Sequence, residues 1–275
     1  MRTQCEICPH HCKIEEGHIG LCKARTNKAG EIVSENYGKL TGLALDPIEK
    51  KPLSRFYPGS EILSIGSYGC NLKCSFCQNS DISMVGSKEI EVQETTAEEM
   101  VKKAVLLQNR GNIGIAYTYN EPLIGYEFVR DCATLVKQEG LKNVVVTNGF
   151  ICEEPLKQLL PFIDAFNIDL KGFTEAYYHK LGGDLDTVKR SIEIASEKSH
   201  VEVTTLIVPG ENDSDEEMEE LSGWLASVNP DAPLHISRFF PRYQMQDCGA
   251  TPVEKVYHLA EIARKKLRYV YEGNC

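Results

Sequence analysis

Cys70, Cys74 and Cys77 fall within the stretch Gly69–Asn79, which reads GCNLKCSFCQN. The spacing C-x3-C-x2-C lets three thiolates converge on one centre, and soft sulfur ligands select zinc or an iron–sulfur cluster. Three is the informative number. A closed structural site takes four ligands, whereas a site that does chemistry keeps one position open. A cubane held by three cysteines would leave one iron free to bind a substrate or cofactor. On spacing alone, a zinc knuckle or a set of buried thiols is the competing reading.

A second set lies upstream. CEICPHHCKIEEGHIGLC places Cys5, Cys8, Cys12 and Cys22 in a C-x2-C-x3-C-x9-C pattern, with His10, His11 and His18 between them. Four thiolates close a tetrahedral zinc site or hold a second [4Fe–4S] cluster. The set is compact, complete in ligands and too short to build its own core, which tilts the reading toward zinc. Reduced thiols without metal are the bland alternative. The other cysteines, Cys132, Cys152, Cys248 and Cys275, are scattered. In a reducing compartment, clustered cysteines indicate metal more often than disulfides.

Composition narrows the function classes. The chain has 275 residues, 42% of them hydrophobic and 25% charged, which suits a soluble globular protein with a sizeable core. A formal net charge of −10 argues against a general nucleic-acid binder, because neutralising phosphates takes clustered Lys and Arg. No uncharged apolar run reaches about 18 residues, so no membrane span is expected. The start, MRTQCEICPHHCKI, lacks the apolar core of a signal peptide, and a cytoplasmic location is expected.

The positioning elements follow from local pattern. In residues 23–60, EIVSENYGK suits a short strand or hairpin. LDPIEKKPLSRFYPGSE, with three prolines and many charges, reads as a connecting loop. Its Lys50 and Lys51 read as a solvated charge run, with the rim of a site as the alternative. From Glu61, strands (ILSIGS, IGIAYTY, KNVVVTN, DAFNIDLK, HVEVTTLIVPG, LHISRFF) alternate with helices, and RYVYEG closes as a short strand. Thr96 with Glu99 and Ser214 with Glu217 predict capping boxes. Thr251-Pro252-Val253-Glu254 predicts the start of the last helix. Six strand-then-helix units imply a parallel sheet curled into a partial or full barrel. The competitor, a doubly wound open sheet, loses support because no G-x-G-x-x-G follows any strand. The expected organisation is a Cys-rich segment with a connecting loop over 1–60 and a barrel over 61–275.

Parallel α/β folds bind ligands at the C-terminal ends of their strands. Those ends deliver the three cysteines, then Thr118-Tyr119-Asn120-Glu121-Pro122, Thr147-Asn148-Gly149, Asp169 with Lys171, Pro209–Asp213, and His235, Ser237 and Arg238. Each has a bland reading as a turn, an ion pair or a core histidine. Their convergence on one mouth beside a three-thiolate loop raises the joint reading.

The chain resembles the radical S-adenosylmethionine (SAM) enzymes of the AmmeMemoRadiSam system, relatives of the pyruvate formate-lyase activating enzymes. The resemblance rests on CPHHC with EGHIGLC, DPIEKKPL, SIGSYGCNLKCSFCQN, YTYNEP, VTNGF, NIDLKGF, VPGENDS, ISRFFP and YVYEGN, in the family's order. One departure is that many members continue into a tail with further cysteines, whereas this chain stops at Asn274-Cys275. The resemblance implies an α/β fold, a partial (β/α)6 TIM-like barrel of the radical SAM type with a small N-terminal Cys-rich metal-binding segment. It implies a [4Fe–4S] cluster on Cys70, Cys74 and Cys77, with SAM on the free iron. Reductive cleavage would give a 5′-deoxyadenosyl radical that abstracts hydrogen from an unidentified substrate. By the same resemblance Asn120 and Glu121 would meet the SAM amino group, and Thr147 and Asn148 the ribose. Asp169 and Lys171 would form the active-site floor, as catalytic residues. His235 and Arg238 would lie near the adenine or the carboxylate, and Phe76 would pack on adenine. Expected partners are a one-electron donor such as flavodoxin or ferredoxin, and Memo-like and AMMECR-like proteins. Two other readings are activation of a glycyl radical enzyme, although the two-ferredoxin insert is absent after the loop, and a non-catalytic zinc-binding adaptor.

Overall fold

Apolar runs such as Ile62–Leu63, Val144–Val145 and Ala165–Phe166 are buried, as strands covered on both faces require. In the computed structural model, which describes residues 1–275, they form one eight-stranded sheet. Across the sheet the order is Val270–Gly273, Leu234–Arg238, His200–Ile207, Ala165–Asp169, Lys142–Thr147, Asn112–Tyr117, Glu61–Gly66 and Gly42–Pro47. All neighbours pair in parallel except the last two. The outermost strands do not pair with each other, so the barrel is partial.

Residues 42–60 are the main departure from expectation. Leu45, Asp46 and Pro47 are not loop; they pair with Leu63, Ile62 and Glu61 in an antiparallel edge strand. Residue 60 therefore does not separate the sheet from what precedes it. The following segment runs into the barrel, where Ile48, Leu53 and Phe56 pack against Ile62, Ala116, Val144 and Ala165. Burial of those apolar side chains holds the loop inward. Lys51 follows them and is only 3% exposed, so the solvated charge run is corrected for this residue. Its ammonium lies 2.9 Å from Asp46 and 4.8 Å from the Tyr119 ring centre.

Capping chemistry is satisfied unevenly. Thr96 and Glu99 form a complete capping box on the Ala97–Leu106 helix. Ser214 accepts from the Glu217 amide, but the Glu217 carboxylate turns away to accept from the Phe173 amide at 2.5 Å. The final helix, Val253–Arg264, has no side-chain cap. Thr251 instead donates to the Ile207 carbonyl at 2.6 Å and accepts from the Phe239 amide at 3.2 Å, fastening two strand ends. In both corrections a tertiary partner outcompetes the local one.

The N-terminal segment builds two small hairpins, Arg2–Gln4 with Lys13–Glu15 and Arg25–Lys28 with Glu31–Ser34. No helix is long and apolar enough to cross a membrane.

Candidate functional site

The C-terminal strand ends open onto a cavity of about 720 Å³, within the ~300–1,000 Å³ range of small-molecule sites. Cys70, Cys74 and Cys77 line it, as do Glu121, Thr147, Asn148, Asp169, Lys171 and His235.

The cysteine loop is held from both sides. Gly69 opens it with φ +86°, and a Cβ there would run into the carbonyl of Cys22, so no other residue fits. Asn120 holds the loop's entry. Its Oδ1 accepts from the Ser67 amide at 2.9 Å, and its Nδ2 donates to the carbonyls of Tyr68 and Gly69 at 3.1 Å each. Asn148 donates to Asn71 Oδ1 at 2.9 Å and approaches Cys70 Sγ at 3.6 Å. The Leu72 amide points at the same sulfur from 3.4 Å. Phe76 is buried and stacks on Tyr177 with centroids 6.5 Å apart.

Glu121 ties adjacent strand ends together. It accepts from Thr147 Oγ1 at 2.7 Å, the Asn148 amide at 2.8 Å and the Leu123 amide at 3.0 Å. Burial pushes its carboxyl up to about 7, although the hydrogen bonds pull the other way. In the cavity wall, Lys171 Nζ lies 2.8 Å from Asp169. Burial opposes its charge, but Asp169 and Cys74 outweigh burial and hold Lys171 well above its ordinary value.

These contacts reassign several residues. Asn120, Thr147 and Asn148 line the cavity, but their side-chain polar atoms are bonded to the scaffold, so their visible work is positioning the loop and Glu121. His235 lines the cavity with Nε2 turned to Glu202 at 2.6 Å and its ring stacked on Tyr271. Arg238 lies off the cavity wall. Its Nε donates to the Thr251 carbonyl at 2.7 Å and its guanidinium covers Phe240, because its position on the Leu234–Arg238 strand turns it to that side. Asp169 and Lys171 line the cavity.

Cys5, Cys8, Cys12 and Cys22 line one small cavity with His10 and Arg25. Burial pushes Cys8 up to about 12 and Cys22 to about 11. No group of three or more His, Cys, Asp or Glu side chains is arranged to hold a lone metal ion. In a cubane each thiolate instead meets a separate corner iron. The loop fits such a group by its donor set: three soft thiols, N–H donors aimed at the Cys70 sulfur and the Lys171 cation beside Cys74.

Residues 64–224 match the Radical SAM superfamily, and the chain belongs to that superfamily. It is 41% identical over 277 residues to an uncharacterized protein of Methanocaldococcus jannaschii, MJ0808, covering 99% of this chain and 81% of that protein. It is 27% identical over 158 residues to the pyruvate formate-lyase 1-activating enzyme of Escherichia coli, a match spanning 56% of this chain and 63% of that enzyme. Among solved structures it resembles Streptococcus suis SuiB bound to S-adenosylmethionine, with TM-score 0.58 and 14% identity over 78% of this chain and 52% of SuiB. TYW1 with a lysine-pyruvate adduct bound gives TM-score 0.54 at 18% identity, over 78% of this chain and 77% of TYW1. The fold is the partial barrel of these proteins, and the chain is a radical SAM enzyme, activating-enzyme-like, with a [4Fe–4S] cluster and SAM as the family's cofactors.

The sequence pattern singled out none of Asn71, Arg25 and Tyr271 as site residues, and it offered Lys51 only as the alternative to a solvated charge. Asn71 lies inside the cysteine motif and Lys51 inside DPIEKKPL, so motif membership was an available signal for both. Arg25 and Tyr271 are recognised only through partners distant in sequence, Glu127 and His235.

Proposed function

We propose that the chain is a radical SAM enzyme of the AmmeMemoRadiSam type acting on a polar organic substrate in the 720 Å³ cavity. The observation that carries this is the cavity's polarity. Three thiols stand on one side, and Lys50, Lys51, Asp169, Lys171 and Glu272 line other parts of the wall. Cys70, Cys74 and Cys77 hold the cluster. Asp169, the less enclosed partner of the floor pair, meets a cationic group of SAM or substrate, and Phe76 gives an apolar surface beside the thiols. When bound, cluster and SAM together supply the 5′-deoxyadenosyl radical that abstracts hydrogen. The walls orient SAM and substrate and exclude water from them.

The same reading takes Cys5, Cys8, Cys12 and Cys22 as a second metal site, zinc or iron–sulfur. It takes a flavodoxin or ferredoxin as electron donor, Memo-like and AMMECR-like proteins as partners, and the cytoplasm as location, where eleven free thiols stay reduced. A second reading is activation of a glycyl radical enzyme, favoured by the likeness to pyruvate formate-lyase 1-activating enzyme. Against it, the cysteine loop runs directly into the short Ser80–Ser83 helix, leaving no room there for a two-ferredoxin insert.

The test is deuterium transfer. Labelled candidate substrates, small polar molecules and glycine-containing peptides, are incubated anaerobically with reduced enzyme and SAM. Label in 5′-deoxyadenosine identifies the substrate class. Enzyme that stays iron-free after reconstitution, or forms no more 5′-deoxyadenosine than Cys74→Ala, overturns the proposal.

A further inference from the structure

We infer that Lys51 anchors an anionic oxygen group of the substrate, a carboxylate or a phosphate, which makes that substrate a small organic anion. This rests on the reaction proposed above for the cavity; the anion site itself needs no cluster.

The placement of Lys51 comes first. Residues 48–56 close the inner end of the barrel. The Pro52 carbonyl accepts from Asn167 at 2.9 Å, and the Ser54 and Arg55 amides donate to Glu202. Asn167 and Glu202 are paired across their strands, two residues before the pair Asp169 and Thr204. Residues two apart on a strand share a face, and Asp169 and Thr204 line the cavity. The docked segment therefore lies one inward-facing layer beneath the cavity, and Lys51, the residue before Pro52, lines the cavity above it.

The Lys51 ammonium is not fully partnered. It carries three N–H donors. Asp46 Oδ2, at 2.9 Å, is the hydrogen-bond acceptor that the fold provides. The Tyr119 ring covers a second side, 4.8 Å from the nitrogen to the ring centre. At least one N–H of a buried cation is left without an acceptor in the wall of an open cavity. A charged donor in that position favours an anionic acceptor supplied from the cavity.

The charge balance has the same sign. Asp46 Oδ1 lies 3.6 Å from Lys50, so two lysines share one carboxylate. The other enclosed carboxylates of the wall are committed elsewhere: Asp169 to Lys171, Glu272 to Arg264 at 2.7 Å, and Glu121 to three donors. Glu49 is exposed and accepts from the Gly59 amide at 2.7 Å. The charge left over around Asp46 is positive, and a ligand that complements it is negative.

Tyr119 shows how firmly this corner is built. Its φ is +72°, a left-handed conformation uncommon for an aromatic residue. Gly42 and Gly66 leave room for the ring; a Cβ on them would come within 3.1 and 2.6 Å of it. The hydroxyl donates to Asp46 at 2.7 Å, and the carbonyl accepts from Asn79 at 2.6 Å. Asp46 and Tyr119 are thus positioning residues that hold the Lys51 ammonium in place.

Calorimetric titration of the reconstituted enzyme in the presence of SAM tests this, with malonate and inorganic phosphate as probes and malonamide as the uncharged control. One or both anions should bind. Malonate alone assigns a carboxylate, and phosphate alone assigns a phosphate group. In Lys51→Met, binding should weaken about tenfold or more, the worth of one charge-assisted hydrogen bond. Asp46→Ala/Lys51→Met should show the same weakening and keeps the test open if Lys51→Met fails to fold. Loss in the double variant falls on Lys51, because removing Asp46 takes away a negative charge. Anion binding unchanged in the variants means an adventitious ion only and overturns the inference. No binding to the full enzyme overturns it as well, and so does malonamide binding as tightly as malonate. SAM affinity weakened by the same factor gives Lys51 to SAM and overturns its assignment to substrate. The reaction is judged separately: 5′-deoxyadenosine no higher than in Cys74→Ala sinks the function proposed above and leaves the anion site standing, since titration needs no turnover.

Discussion

The Nε2 atom of His235 lies 2.6 Å from Oε2 of Glu202, a carboxylate with no solvent exposure. Glu202 also accepts from His200 at 2.8 Å and from the amides of Ser54 and Arg55 at 2.9 and 2.7 Å. One residue thus joins the cavity wall to the loop that fills the barrel interior.

Glu202 should govern acid stability. Burial pushes its carboxyl up, but the bonds from His200, His235, Ser54 and Arg55 outweigh burial and hold it at about 2 against an ordinary 4.5. A folded value below the unfolded one stabilises fully above about pH 4.5, and the gain is lost as pH falls toward 2. At ~1.4 kcal/mol per pH unit the contribution at pH 7 is about 3 kcal/mol. Urea unfolding of Glu202→Gln should show that deficit at pH 7 and a narrowing gap between pH 4.5 and 2. A gap independent of pH would refute the assignment.

Asp46 and Lys51 form a buried pair at 2.9 Å, with the Lys51 side chain 3% exposed. Removing only the carboxylate leaves an ammonium without a counter-charge, so Asp46→Ala should cost about 3–5 kcal/mol. Asp46→Ala/Lys51→Met should recover much of that loss, since an apolar chain of similar length fills the same space. Chemical denaturation of both variants decides; equal stability would show that the pairing contributes nothing.

Gly69 should tolerate no side chain. Its φ of +86° costs an L residue about 1–2 kcal/mol, and the Cβ would also displace the Cys22 carbonyl. Gly140 has φ +71° with open space around it. Gly140→Ala should therefore show the backbone cost alone. Gly69→Ala should lose more stability and bind less iron, as measured by thermal unfolding and iron content after reconstitution.

Asp169→Asn removes the counter-charge 2.8 Å from Lys171 while leaving the three cysteines in place. Iron content should be unchanged. Formation of 5′-deoxyadenosine should fall roughly 10- to 100-fold, the kinetic equivalent of 1–3 kcal/mol from a charged hydrogen bond left unmade. Full activity in the variant would remove Asp169 from the floor of the site.

The sequence by itself determined the alternation of strands and helices from Glu61 onward, the complete Thr96–Glu99 capping box, and the two cysteine sets. Periodicity, capping and ligand spacing act over a few residues, so they are written locally. Tertiary structure alone decided where Lys51 would be buried, that Glu217 would serve Phe173 rather than its own helix, and that Arg238 would leave the cavity for Thr251 and Phe240. It also decided that Asn120 and Asn148 would spend their amides on the loop, and that Arg25 would face four thiols with one N–H unmet. Phe173 is 44 residues from Glu217, and Tyr68 is 52 from Asn120. A buried polar group takes whichever partner packing brings within reach, and only the folded chain fixes that choice.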